Sequence, residues 1–294
     1  MFRVSVLSGH ARAATNSPES AMLVFLQKWR ALAIGGLLLA TVFNASADLV
    51  IVLPAMGDLQ NSAVFSLGGG IRGDQLSGGA YIGGDVRVAG NGNIVLRSNA
   101  IIDGDLYYRS NGTFRMLDNA QVTGAVHNDQ DAQLDNGVTE AINASNDAFA
   151  LAPNRPYSNI NLLNGRHNIT VTGAPGETVV LTLRNFRLAN NAVFTLQGTA
   201  TTTFIINVSG QFSLSGHARI VLSGGVQWNN VLFNVRGTSG AVSISGHASL
   251  QGILMANQRA VTLGGHAEVI GEIIAKRVDL SGASRVTHPP ITSP

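Results

Sequence analysis

Leu214-Ser215-Gly216-His217-Ala218-Arg219-Ile220, Ile244-Ser245-Gly246-His247-Ala248-Ser249-Leu250 and Leu263-Gly264-Gly265-His266-Ala267-Glu268-Val269 are three copies of one phrase. An apolar strand end leads into a polar turn, then into alanine and a second strand. Leu96-Arg97-Ser98-Asn99-Ala100, Met116-Leu117-Asp118-Asn119-Ala120 and Leu188-Ala189-Asn190-Asn191-Ala192 repeat it, and Leu280-Ser281-Gly282-Ala283-Ser284 is a worn copy. Strand, tight turn and strand at short intervals mark a solenoid, in which each coil buries its apolar side only against its neighbours. Ala100 and Ala120 are 20 residues apart, and Ala248 and Ala267 are 19 apart. At about 3.3 Å per strand residue that length suits three short strands and three corners. The 30 residues from Ala218 to Ala248 predict one coil with an insertion or two unequal coils. The expected fold is all-β with one helix: a single-stranded β-solenoid (β-helix) with one flanking α-helix.

Strand-like segments alternate apolar and polar residues, as in Tyr81–Val88, Asn93–Leu96 and Thr113–Leu117, so that one side packs inward and the other meets water. Residues 127–156 break this pattern. Val138, Ala141, Ile142, Ala148 and Phe149 recur at helical spacing, Asp135 or Asn136 can cap, and Pro153 and Pro156 stop the run. A helix over about 137–151, lying along the outside of the coils, is predicted. Leu49–Leu53 reads as a short apolar strand at the start of the solenoid. The solenoid is expected to occupy 48–286, with 287–294 as a tail.

Residues 22–47 carry a cationic start, the 13-residue apolar stretch 31–43 and an Ala45-Ser46-Ala47 end, the pattern of a secretory signal peptide with cleavage after Ala47. A membrane span needs about 20 apolar residues, so no stable membrane insertion is expected after cleavage. Translation starts at Met1 with an extended leader or at Met22; the sequence leaves both open. Residues 1–47 hold four of the 19 basic and one of the 17 acidic residues, leaving 15 against 16 and a net charge of −1. No basic patch remains to suggest nucleic acid. There is no cysteine, so stability must come from stacked coils rather than disulfides.

Three groups of side chains are candidate sites. His217, His247 and His266 share one place in the repeat, and a column of imidazoles is a weak candidate for a metal site. Asn99, Asn119 and Asn191 occupy the same place, and Asn and His both tolerate positive φ, so a left-handed corner residue accounts for all six. Thr170, Thr172, Thr199, Thr201 and Thr203 could align on a flat face and order water; threonine is also simply a good exposed strand residue. Asp103 and Asp105, two apart on one strand, could act as a catalytic pair, yet Gly73-Asp74, Gly84-Asp85 and Gly104-Asp105 look like corner chemistry. Tyr107 and Tyr108 must point to opposite sides, and Trp228 reads as a corner or core residue. No nucleophile-elbow, phosphate-loop or dinucleotide motif stands in a strand–helix setting, and no cofactor is expected.

The segments Phe204-Ile-Ile-Asn-Val-Ser-Gly210, Gly224-Gly-Val-Gln-Trp-Asn-Asn-Val-Leu-Phe-Asn-Val235, Gly252-Ile-Leu-Met-Ala-Asn257 and Gly271-Glu-Ile-Ile-Ala275 resemble choice-of-anchor A exported bacterial proteins. Their order also resembles that of bacterial ice-binding β-solenoids. The resemblance implies export, a secreted or surface location, and a structural or adhesive, non-catalytic role, with extracellular matrix or polysaccharide as partner. An ice-binding protein is the alternative, and a carbohydrate-active β-helix enzyme the second alternative.

Overall fold

The computed structural model describes residues 62–68, 75–91, 93–163 and 168–291. The leader pattern, the Leu49–Leu53 run, Gly73-Asp74 and the last three residues lie outside the described residues. Among the described residues twenty-three strands, numbered in chain order, form one sheet. Every pairing is parallel, as coil-on-coil stacking requires, and the strands fall into three ladders.

Ladder A runs β13 (Thr178–Leu183), β16 (Thr203–Val208), β19 (Val231–Val235), the middle of β21 (Ser249–Leu263), the middle of β22 (Glu268–Leu280), β1 (Ser62–Ser66), β4 (Asp85–Val88), β7 (Leu106–Tyr108) and β10 (Val126–His127). Ladder B runs β11 (Asn159–Leu162), β14 (Asn185–Leu188), β17 (Phe212–Leu214), β20 (Val242–Ile244), the ends of β21 and β22, β2 (Gln75–Leu76), β5 (Asn93–Leu96) and β8 (Thr113–Met116). Ladder C runs β12 (Asn168–Thr172), β15 (Val193–Gln197), β18 (Arg219–Ser223), the starts of β21 and β22, β23 (Arg285–Thr287), β3 (Tyr81–Gly83), β6 (Ile101–Asp103) and β9 (Gln121–Val122). Arg219 pairs with Ser249, so the 30-residue interval is one coil carrying an insertion.

The stacking order is not the chain order. β1 is inserted between β22 and β4, so the last coils of the chain close onto its first coils. Inward side chains form straight columns. Phe186 stacks on Phe212 with centroids 5.2 Å apart and meets Phe194 and Phe233 edge-on. Each such side chain contributes roughly 1.5–3 kcal/mol through burial, and without disulfides these columns carry the stability.

Helix α1 (Asp131–Ala150) lies against ladder A. It starts six residues before the predicted position. Asp131 accepts bonds from the Ser110 N–H (3.2 Å) and Ser110 Oγ (2.6 Å), and Arg109 reaches both Asp131 and Asp135, one helical turn apart. These contacts with the corner between β7 and β8 are tertiary and leave no trace in local hydropathy. The buried positions Leu134, Gly137, Ala141, Ala144, Ser145 and Ala148 follow the helical repeat and are mostly small, which lets the helix lie close to the strands. Asparagines on the sheet then bond its backbone. Asn257 donates to the Ala141 carbonyl (2.8 Å), Asn234 to Ser145 (2.9 Å) and Asn207 to Ala148 (2.7 Å). Successive coils thus grip successive turns, because the coil spacing of about 4.8 Å nearly matches the 5.4 Å pitch of a helix.

Two buried charges stand out. Arg259, 2% exposed, donates to the carbonyls of Gly237 (2.9 Å), Gly210 (2.5 Å), Ser209 (3.0 Å) and Arg236, binding the A-to-B corners of the two coils that precede it. Replacing it with methionine leaves those carbonyls unpaired. The expected loss is roughly 3 kcal/mol, read as a Tm lower by about 6–12 °C for a domain of this size. Glu272, 1% exposed, stands in the rung that meets β1, and its Oε1 has no hydrogen-bond partner. Burial raises its pKa well above the ordinary 4.5, against the opposing charge of Arg87. The folded state therefore holds this proton at pH values where the unfolded chain has lost it, and stability falls as pH rises above about 4.5. Glu272→Gln is expected to raise the Tm at neutral pH and to flatten that decline, measured by thermal melts across pH.

Candidate functional site

The repeated turn joins ladder B to ladder C at one corner, and its copies lie above one another. The His217 N–H donates to the Asn190 carbonyl (2.6 Å), His247 to Gly216 (2.7 Å), His266 to Gly246 (2.7 Å) and Asn99 to Asp118 (2.9 Å). The expected left-handed residue is present but misplaced in four of the six copies. Ser98, Asn99, Asp118 and Asn119 have φ of 54–61°, so both central residues of those turns are left-handed. In the other copies only the first central residue is left-handed: Asn190 (58°), Gly216 (69°), Gly246 (74°) and Gly265 (71°). The left-handed explanation therefore fails for Asn191, His217, His247 and His266. Glycine absorbs the strained geometry as in a type II′ turn, which frees the next position for any side chain. Here that position holds exposed imidazoles in a continuous stack, with centroids 4.9 and 4.7 Å apart and planes within 8°. Among the described residues no group of three His, Cys, Asp or Glu converges as metal ligands.

The carboxylates do corner work. Gly104 turns the chain between Asp103, the last residue of β6, and Asp105, just before β7, so the two do not share one strand as the sequence suggested. Asp103 accepts from Tyr81 Oη (2.7 Å) and Thr123 Oγ1 (2.9 Å), and these bonds, Tyr81 first, lower its pKa. Asp105 accepts from the Ala125 N–H (2.7 Å) and Tyr107 Oη (3.1 Å), and is lowered in turn. Asp85 accepts the Asp105 N–H (2.9 Å), so each Gly-Asp corner caps a backbone donor of the next coil. Neither of the suspected pair is held in the protonated form that a general acid needs. Tyr107 points outward and stacks on His127 (4.7 Å), while Tyr108 packs on the core. Trp228 is buried on a 3-10 turn, edge-on to His288.

The five candidate threonines are spread over three elements. Thr170 and Thr172 lie on β12 in ladder C, where Thr170 is in register with Thr195. Thr199 and Thr201 sit in the turn after β15, bonded to each other (3.0 Å) and, through Thr201, to the Gly176 N–H (3.0 Å). Thr203 begins β16 in ladder A, opposite Thr178.

The outer sides of the three ladders differ in chemistry. Ladder A is covered by α1 over much of its length. Ladder C presents the column Val193, Arg219, Ser249, Glu268, Arg285, Tyr81, rich in charge. Ladder B presents Ser213, Ser243 and Thr262 in one column and Ala241 beside Ala260 in the next, with Ser215, Ser245 and Gly264 at the strand ends. This patch of small, uncharged side chains is bounded on one side by Asn185 and Arg187 and on the other by the Arg277–Asp279 ion pair (2.6 Å). Sequence reasoning missed it, although serine and threonine at alternate positions of β17, β20 and β21 were its visible sign.

A family model described as "Putative Ice-binding-like adhesive domain" matches residues 41–287. Ice-binding protein K1-A of Typhula ishikariensis is 38% identical over 66 residues, which is 22% of this chain and about a quarter (26%) of that protein's length. Among solved structures, the ice-binding protein of the Antarctic ascomycete Antarctomyces psychrotrophicus superposes with a TM-score of 0.52 at 16% identity, covering 80% of this chain and 98% of its own. The glycosylated ice-binding protein LeIBP from an Arctic yeast gives 0.53 at 18%, covering 81% and 95%. The ice-binding protein from an Antarctic bacterium, Flavobacteriaceae, gives 0.55 at 20%, covering 82% and 49%. These likenesses establish the β-helix fold.

The corner geometry separates two neighbouring residues. A Cβ on Gly246 would lie 2.9 Å from the Gly216 carbonyl oxygen, at a φ of 74°. Gly246→Ala is therefore expected to cost about 1–2 kcal/mol, whereas His247→Ala should stay within about 0.5 kcal/mol; urea unfolding of the two variants measures both.

Proposed function

The chain belongs to the ice-binding-like adhesive domain family, and from that premise we propose that it binds ice through the uncovered outer side of ladder B. The observation that carries this reading is the patch centred on Ser213, Ser243 and Thr262. An ice surface is a regular array of water molecules. A protein face meets it by placing many groups at once, with no charge holding a hydration shell of its own and no long side chain standing proud. Parallel coils in register supply straight columns repeated at about 4.8 Å, and small hydroxyl-bearing side chains can join an ordered water layer at little cost. Ladder A is covered, and the charges of ladder C favour liquid water. A second reading places the ice-contacting groups on ladder C, supported by Thr170 in register with Thr195 and by the neighbouring Thr172; Thr199, Thr201 and Thr203 extend it around the corner from ladder C to ladder A.

The proposal includes export and a non-catalytic role. Residues 22–47 carry the leader pattern, and no helix among the described residues is long and apolar enough to cross a membrane. The resemblance to choice-of-anchor A proteins supports a surface or matrix-associated setting, in which ice or an extracellular polymer is the partner.

Inhibition of ice recrystallisation and thermal hysteresis test the reading. Ser243→Tyr combined with Thr262→Tyr puts two rings at the centre of the patch and is expected to cut activity on the order of tenfold or more, as central contacts do. Thr195→Tyr should leave it intact. The reverse outcome moves the face to ladder C, and inactivity of the unaltered protein in both assays removes ice as the ligand.

A further inference from the structure

The two ends of the coil stack are finished differently. At the end made by β11, β12 and β13 the inward residues are covered: Ile160 is 1% exposed, Val171 2% and Val179 0%. Residues 153–158 lie across that end. The Asn154 N–H donates to the Val180 carbonyl (3.0 Å), its side chain accepts the Val180 N–H (2.8 Å), Arg155 reaches the Thr172 carbonyl (2.9 Å), and Tyr157 packs on the core. At the other end, made by β8, β9 and β10, no such segment is present among the described residues. Met116 is the column neighbour of Leu96, and Val126 of Leu106. Leu96 and Leu106 are 0% exposed, but Met116 is 48% and Val126 44%. Phe114 and Val122, neighbours of buried Ile94 and Ile102, are partly exposed. This end is a cross-section of the core with three strand edges around it, and terminal repeats without a polar cap are sticky.

The geometry points to a second copy of this chain as the cover, meeting the first through the same end. Three unpaired edges around one apolar centre need a partner with three edges in the same arrangement, and the like end of another copy has them. A single extended segment satisfies one edge. The opposite end is blocked by residues 153–158, so head-to-tail growth is closed off and a two-fold contact remains. Such a contact must be self-complementary. The rim agrees, since exposed Arg115 and Asp118 have opposite charge and lie on one strand and its turn, where a two-fold brings each toward the other's counterpart.

Light scattering and sedimentation of the full chain over a wide concentration range are expected to give a dimer. Met116→Glu with Val126→Glu should give a monomer. Because that pair could disturb folding, the rim supplies a second test: Arg115→Glu should weaken dimerisation roughly tenfold, by placing like charges together, and adding Asp118→Arg should restore it. A chain that stays monomeric at every concentration overturns the inference. Growth beyond the dimer, or a dimer indifferent to both sets of variants, overturns it equally.

Discussion

Each coil of this protein is held to the next by backbone hydrogen bonds made in register, and the corner turns decide where that register starts. The His247 N–H on the Gly216 carbonyl and the His266 N–H on the Gly246 carbonyl are single bonds, but they fix which residue of one coil stands over which residue of the next. A slip of one residue would turn every inward side chain outward. The columns of phenylalanine and leucine, the asparagines that meet the helix carbonyls, and the patch of small side chains on ladder B all exist only because the corners agree. The glycines at the first turn position make the agreement cheap, since they adopt left-handed backbone without strain.

The helix is the second constraint. A chain that starts in the middle of its own stack must travel back along the outside before it can complete the other half. α1 makes that journey, anchored at its start by Arg109 and Ser110 and along its length by Asn257, Asn234 and Asn207. Its cost is one face. With ladder A occupied, only two sides are left for recognition, and they differ: ladder C carries a charged column, and ladder B carries a patch of small neutral side chains between Arg187 and the Arg277–Asp279 pair.

Much of the architecture could be read from the repeated phrase, because period and turn chemistry are local properties. The strands within 81–88, 93–96 and 113–116 appear where the alternation announced them. The stacking order could not be read. Columns of apolar residues are interchangeable in composition, so nothing in the sequence says that Ile273 belongs beside Val64. The start of α1 was hidden because Asp131 and Asp135 are fixed by an arginine of the preceding coil, a contact that local hydropathy does not show. The histidines show a subtler limit. Their recurrence was plain, but whether His or the preceding Gly took the unusual φ is a matter of turn type, which a four-residue phrase does not specify. The outward patch on ladder B escaped notice because alternation shows that a side chain faces out, and not which of three outer sides stays bare.

The insertion of β1 between β4 and β22 has a consequence for the order of assembly. Val64 and Ile273 are joined by a contact spanning most of the polypeptide. During synthesis the amino-terminal coils emerge first and must wait with one edge unsatisfied until nearly the whole chain has followed. The final coil therefore acts as a clasp: growth from either side leaves a gap, and only its arrival turns two partial stacks into one. Loss of even a few residues around Glu272–Ala275 would leave both partial stacks open, so truncation near the carboxyl end should be felt first at the amino-terminal strand.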